Sequence, residues 1–398
     1  MKTKLIAVAL FGTTLGALAF YPALQVGALQ ANPPVIEHPA IGQGAVEVVF
    51  VLDTTGSMGG MLETAKEKIW SIASSLASAH SAPRIRMGLV AYRDRGDSYV
   101  TRVIDLSNDL DAVYSALLEL QAAGGGDGPE SVNQALQDAL EQISWSQDTS
   151  TYRTVFLVGD ATPHMDYQDD IKYPVILNRA RQRGILVNSI QCGRNGDTEQ
   201  TWREIASLGG GRYFQVDQSG GALALTTPFD EKIAKVSAAL DQTRLYYGNA
   251  KLKAANERKK QTAEKLHSEL SAESQARRAA YHLTPSGRSD FLGENELLDD
   301  LASGRVQLSD IPQDYLPEPL QAMAPDARLN HIQDTTQQRQ KLEEELQIIS
   351  RQRADYIAGK VNTLDGKAHK SLDRRIYDTV REQAAAVGLE YDRDALKY

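Results

Sequence analysis

Between residues 46 and 216 the chain alternates short, very apolar runs with longer amphipathic ones, and this constrains its fold more than any other property. Residues 46–52 (VEVVFVL) are rich in β-branched side chains and interrupted only by Glu47, the pattern of a central strand covered on both faces. The stretch 60–80 then places Met61, Ala65, Ile69, Ile72 and Leu76 at helical spacing. Further strands are predicted at 85–92, 99–106, 154–160, 185–192 and 212–216, with helices at 109–121, 129–143, 172–183 and 198–208. Strands separated by helices of this length pair in parallel and are covered on both faces, so the expectation is a doubly wound, mostly parallel α/β sheet. Only the turn RDRGDS separates 99–106 from its predecessor, which makes it an antiparallel edge strand.

From about Pro228 the strand signal stops. Ile233, Val236 and Leu240, then Leu342, Leu346 and Ile349, then Leu372, Ile376, Val380 and Ala384 recur three or four residues apart, which predicts an all-α C-terminal region over 228–398. Within it, 249–278 is rich in Ala, Lys and Glu with few large apolar residues, and reads as a solvated helix or a coiled-coil arm. At the other end, Lys2 and Lys4 precede the uncharged stretch LIAVALFGTTLGALAF, the charged and apolar parts of an export signal. Residues 1–31 are therefore read as a signal peptide, with small-residue cleavage sites after Ala19 or Ala28. The alternative is an uncleaved membrane anchor over 5–26, since a span needs about 20 apolar residues. No cysteine follows the apolar run, which excludes a bacterial lipoprotein. The organisation expected is a signal at 1–31, an α/β domain at 45–222 and a helical domain at 228–398, in a protein exported to the periplasm or secreted.

Composition narrows the partners. A formal net charge of −9 argues against a nucleic acid, which needs a clustered basic surface. A single cysteine, Cys192, can form neither an internal disulfide nor a zinc-finger ligand set, and its place in an apolar strand reads as a small core residue.

In an open parallel sheet, ligands collect beyond the carboxyl ends of the strands. Three acidic motifs fall at such places: Asp53-Thr54-Thr55-Gly56-Ser57 after the first strand, Gly124-Gly125-Gly126-Asp127-Gly128-Pro129-Glu130 before a helix, and Gly159-Asp160-Ala161 at the end of the fourth strand. Alternate spacing lets Asp53, Thr55 and Ser57 converge from one turn, while Asp127 and Asp160 approach from neighbouring loops. Five oxygen-bearing side chains without clustered His or Cys make a hard-cation set, suited to Mg²⁺, Mn²⁺ or Ca²⁺.

This order of motifs resembles a von Willebrand factor A domain with a metal-ion-dependent adhesion site, of the bacterial exported type. The resemblance covers roughly 46–216, and the following TPFDEKIAKVSAALDQT is similar to the tail of bacterial members. It implies that Asp53, Thr55 and Ser57 ligate a divalent cation, Mg²⁺ before Mn²⁺ or Ca²⁺, directly or through water, with Asp160 in the fourth-strand role. It also implies a binding module rather than an enzyme, whose protein partner offers an Asp or Glu to complete the coordination. Asp127 stands where many members place a threonine. That extra carboxylate should tighten the ion and weaken its residual pull on an acidic partner.

Other readings stand beside this one. Asp53-Thr54-Thr55 also fits a helix N-cap turn, and Asp160 could cap the segment after it. His164 reads as a ligand or proton carrier, or as a hydrogen-bonding loop residue. The glycines at 124–126 lack a following Gly-Lys-Ser/Thr, which excludes a P-loop. Arg95-Gly96-Asp97 is accounted for by a hairpin turn. A metal-dependent phosphotransferase of the haloacid-dehalogenase type is the enzymatic alternative, but it needs an aspartate where this chain has Thr55. A structural envelope protein dominated by its helical part is the third reading.

Overall fold

The structure, a computed structural model, describes residues 44–126, 128–219, 225–361 and 372–392. The export signal and its anchor alternative fall within 1–43 and lie outside the described residues. Among the described residues no helix is long and apolar enough to cross a membrane.

Strands β1 (Ala45–Asp53), β2 (Arg84–Tyr92), β3 (Thr101–Ser107), β4 (Thr151–Gly159), β5 (Ile185–Cys192) and β6 (Gly210–Val216) form one sheet in the order β3-β2-β1-β4-β5-β6. Neighbours pair in parallel except β2 with β3. The doubly wound sheet with an antiparallel edge is thus the fold. Every residue of β1 is buried, and its period-two alternation feeds two cores. Val46, Val48, Phe50 and Leu52 face helices α1 (Gly59–Leu76) and α2 (Leu110–Leu118). Val49 and Val51 face α3 (Val132–Glu141), α4 (Tyr173–Gln182) and α5 (Gly196–Leu208). Glu47 is tolerated in this strand because Arg86 Nη1 donates to it at 2.6 Å and the Ser146 amide at 2.9 Å. β4 begins earlier than its apolar run because Thr151, Tyr152 and Arg153 pair with Ala45, Val46 and Glu47.

After the sheet the described chain is helical: α6 (Asp230–Asp241), α7 (Ala250–Glu269), α8 (Ala272–His282), α9 (Pro285–Leu292), α10 (Leu297–Ala302), α11 (Glu318–Gln321) and α12 (Pro325–Val361). Ile233, Val236 and Leu240 of α6 meet Leu346 and Ile349 of α12 in one cluster with Ala276 and Ala279 of α8. The expectation of a solvated arm over 249–278 fails for its second half. The segment breaks at Leu270, and the Ser271 side chain accepts from the Ser274 amide to start α8. Arg278 of α8 is fully buried: Nε and Nη2 each donate to the Asp111 carboxylate at 2.6 Å, and Nη1 donates to Asp241 at 2.9 Å. Composition marked the segment as solvated, whereas Arg278 is matched by Asp111 and Asp241 where α8 meets α2 and α6.

The last described helix, α13 (Leu372–Ala384), packs away from that cluster. Leu372, Ile376, Tyr377, Val380 and Ala384 join the core on the α1 face of the sheet, as do Leu389 and Tyr391 beyond the helix. The Tyr391 hydroxyl donates to the Leu76 carbonyl at 3.1 Å, and Lys68 of α1 lies 3.3 Å from the buried Asp373.

Candidate metal centre

The strand order places β2 on one side of β1 and β4 on the other; the connection after β1 runs towards β2 and that after β4 runs the opposite way, towards β5. This is the topological switch point, where the carboxyl ends of the strands open a crevice. Asp53 ends β1 and is buried. Its Oδ1 accepts from the Thr55 amide at 2.9 Å and from Thr55 Oγ1 at 2.6 Å. Thr55 Oγ1 lies 3.4 Å from Ser57 Oγ, so the three side chains converge from one turn, which continues as a short 3-10 helix over Gly56–Met58.

Asp160 follows β4 directly. The preceding Gly159 is required by close packing: a Cβ there would lie 2.5 Å from the Tyr92 hydroxyl and 3.1 Å from Asp53 Oδ2. Asp160 Oδ2 accepts from Gln218 Nε2 at 2.7 Å. Asp127 lies outside the described residues, but its loop is fixed on either side. Gly124 has a φ of +80° and passes Asp97 so closely that a Cβ would sit 2.2 Å from that carboxylate. The Gly56 amide donates to the Gly124 carbonyl at 3.2 Å, tying the glycine loop to the Asp53 turn.

Two contributors were not singled out by sequence reasoning. A Cβ on Gly125 would meet both Glu130 Oε1 and the Thr55 Cβ at 3.3 Å, so the Glu130 side chain reaches the same crevice. Its backbone is held between the loops: the Glu130 amide donates to the Thr162 carbonyl at 2.8 Å, and the His164 amide donates to the Glu130 carbonyl at 3.1 Å. Tyr92 pairs in register with Asp53 and sends its hydroxyl beneath Gly159. Glu130 was visible in the GDGPE string, whereas Tyr92 carried no local signal.

A divalent cation fits this donor set. Asp53 Oδ2, Glu130 Oε2 and the Tyr92 hydroxyl are all buried without a hydrogen-bond partner, an expensive state for polar atoms unless something else meets them. Burial lifts the Asp53 carboxyl to about 7 against the lowering hydrogen bonds from Thr55, and the Asp160 charge adds to the rise. Burial followed by the charges of Asp53, Asp94, Asp97 and Asp160 lifts Glu130 to about 8. Burial is the larger cause of both shifts, and the neighbouring carboxylates add to it. Among the described residues no group of three or more His, Cys, Asp or Glu is spaced to hold a metal by itself; the candidate set mixes carboxylates with the Thr55 and Ser57 hydroxyls.

The neighbouring candidates resolve into scaffolding. His164 is buried, with Nδ1 2.8 Å from Asp166, Nε2 3.3 Å from Asp94 and its ring stacked on Tyr167. Arg95 pairs with Asp169 at 2.9 Å and Asp170 at 2.6 Å. Asp97 accepts from the Gly125 amide at 3.1 Å, so Arg95-Gly96-Asp97 is a braced turn. Cys192 is buried in the core.

A family model described as von Willebrand factor A domain matches residues 47–227. The human von Willebrand factor A domain-containing protein 7 is 34% identical over 119 residues, 30% of this chain and 12% of its own length. The Dictyostelium discoideum alpha-protein kinase vwkA is 29% identical over 120 residues, 30% of this chain and 19% of its own length. The chain thus spans less than a fifth of these curated relatives. The crystal structure of the conserved hypothetical protein BatB from Bacteroides thetaiotaomicron overlays with a TM-score of 0.34 at 18% identity, covering 44% of this chain and 91% of that one.

Proposed function

From the premise that the chain carries a von Willebrand factor A domain over residues 47–227, we propose that it is an exported binding module that captures a protein partner through a divalent cation. Asp53, Thr55, Ser57 and Asp160 would hold the ion, with Glu130 beside them and Asp127 as the further carboxylate of the glycine loop. The observation that carries this reading is the buried, unpartnered Asp53 Oδ2 at the switch point of the sheet. An all-oxygen set favours Mg²⁺, Mn²⁺ or Ca²⁺.

When bound, the ion supplies an electrophilic position that a partner Asp or Glu can complete. The chain's own residues orient that position. Thr55 fixes one oxygen of Asp53 through two hydrogen bonds and leaves the other directed into the crevice. Gly159 lets Asp160 approach Asp53 without an intervening side chain. With Glu130 added, the carboxylates outweigh the charge of one divalent ion, which strengthens retention of the ion and lessens its pull on an acidic partner. Binding is favoured over phosphotransfer because the haloacid-dehalogenase arrangement needs a second aspartate where this chain has Thr55.

The test is thermal unfolding of the full mature chain with Mg²⁺, Mn²⁺ or Ca²⁺, followed by cation-dependent pull-down from the native cell envelope. Saturation at a hundred times Kd raises stability by about 2.7 kcal/mol, and this gain should vanish in Asp53→Ala and Asp160→Ala. Equal gains in wild type and both variants would put the ion elsewhere.

A further inference from the structure

Residues 217–219, directly after β6, lie beside the crevice. Gln218 lies just beyond the end of β6 at Val216, and its Nε2 donates to Asp160 Oδ2 at 2.7 Å and to the Ser57 carbonyl at 3.2 Å. Its position is built. Gly193, at a φ of +72°, leaves the space the carboxamide fills, since a Cβ there would sit 2.2 Å from Gln218 Oε1. The Gly193 amide donates to the Val216 carbonyl at 3.0 Å, fixing the start of the segment. The next residue is anchored on α1: Thr64 Oγ1 donates to the Ser219 carbonyl, and a Cβ on Gly60 would touch Ser219 at 3.4 Å.

An amide N–H on a carboxylate stands in for a cation. It supplies partial positive charge to Asp160. A carboxylate oxygen carries two lone pairs, so donor and cation compete where the cation approaches Asp160 Oδ2 along the direction that Nε2 occupies.

Resting on the metal reading of the site, we propose that Gln218 is a cap displaced by the cation: its carboxamide satisfies Asp160 and Ser57 when the ion is absent and withdraws when the ion binds, so that residues 217–219 change position with occupancy. Because Gln218 competes with the ion, its removal should strengthen binding. Loss of one charge-assisted hydrogen bond corresponds to about a tenfold change in affinity.

The experiment is calorimetric titration of the full chain with Mn²⁺, comparing wild type with Gln218→Ala and Asp53→Ala, together with hydrogen exchange of the 217–219 amides. Gln218 is exposed, so the alanine variant should still fold, with a metal-free melting temperature lowered slightly by loss of the hydrogen bonds to Asp160 and Ser57. The expected result is roughly tenfold tighter Mn²⁺ binding in Gln218→Ala. In wild type, Mn²⁺ should also speed exchange at 217–219, whereas the variant should exchange fast with or without the ion. Weaker binding in Gln218→Ala would overturn the proposal by making Gln218 a ligand through Oε1, and unchanged affinity would overturn it by making the contact incidental. If wild type shows no Mn²⁺ binding that Asp53→Ala abolishes, the metal reading itself fails, an outcome distinct from either.

Discussion

Arg278→Met tests how the helical region is joined to the sheet. The guanidinium is fully buried and bridges Asp111 on α2 to Asp241 on α6. Burial alone would raise the Asp111 carboxyl, but Arg278 overrides it and holds Asp111 at about 2. The displacement from 3.8 amounts to about 2 kcal/mol at 1.36 kcal/mol per pH unit. In the variant Asp241 keeps Arg244 at 2.7 Å and His267 at 2.5 Å, while Asp111 is left as a buried charge without its principal cation. Breaking a buried pair in this way costs about 3–5 kcal/mol. The pH dependence has a definite sign. In wild type the Asp111 contribution is complete above its unfolded pKa near 4 and is lost as pH falls towards 2. In the variant, burial without Arg278 raises Asp111 above its unfolded value, so its ionised form destabilises the fold and acidification from about pH 7.5 to 5 recovers part of the loss. The gap between the two proteins should therefore narrow with acid. Urea unfolding provides the assay, followed both by tryptophan fluorescence and by far-ultraviolet circular dichroism. Trp70, Trp145 and Trp202 all lie in the cores of the sheet, so the two signals should separate in the variant if the joint is weakened. A gap under about 1 kcal/mol at pH 7.5, or one that does not change with pH, would mean that Arg278 does not hold a buried Asp111 charge across this joint.

Three further outcomes follow from the site and its surroundings. With a chelator present, stability of the wild type should fall from about pH 5 to 8, because Asp53 and Glu130 titrate at about 7 and 8 in the fold but near 4 when unfolded; Asp53→Asn should flatten this loss in urea titrations, and an unchanged slope would contradict it. Gly159→Ala forces a methyl against the Tyr92 hydroxyl and Asp53, which should cost about 1–3 kcal/mol and blunt the Mn²⁺-induced rise in melting temperature, with Tyr92→Phe recovering part of the stability. Ile376→Ala on α13 should cost about 2–5 kcal/mol and lower the tryptophan transition midpoint, since Ile376 is buried in the core that holds Trp70.

What could be read from the sequence divides along a physical line. The strand and helix alternation and the Asp53-Thr55-Ser57 turn are local: each depends on the spacing of residues within a few positions, which the string displays. Asp160 was recognisable because it directly follows an apolar strand. Tyr92 was not, because its role arises from registering with Asp53 across two strands. Gln218 reaches Asp160 only because Gly193 yields the room. Helix α8 was misjudged for the same kind of reason: Arg278 looks solvated until Asp111 and Asp241 arrive from distant segments. Periodicity gave α13 an apolar face without saying which surface it would meet.

The placement of α13 bears on where this molecule can be cut. Its last described helix and the residues up to Tyr391 complete a core begun by β1 and α1, so the sheet domain is discontinuous in sequence and α6 to α12 form an insertion held at both ends. A fragment stopped near Pro228 would expose the apolar face of α1 and aggregate. Replacing the insertion by a short linker from Thr227 to Leu372 would keep α13 on the sheet but remove Leu266 and Tyr281 from the same core, and Arg278 from Asp111. Any load carried by the insertion reaches the sheet domain through its two chain connections and also sideways, through Arg278 on Asp111 and through Leu266 and Tyr281 in the core beneath α1.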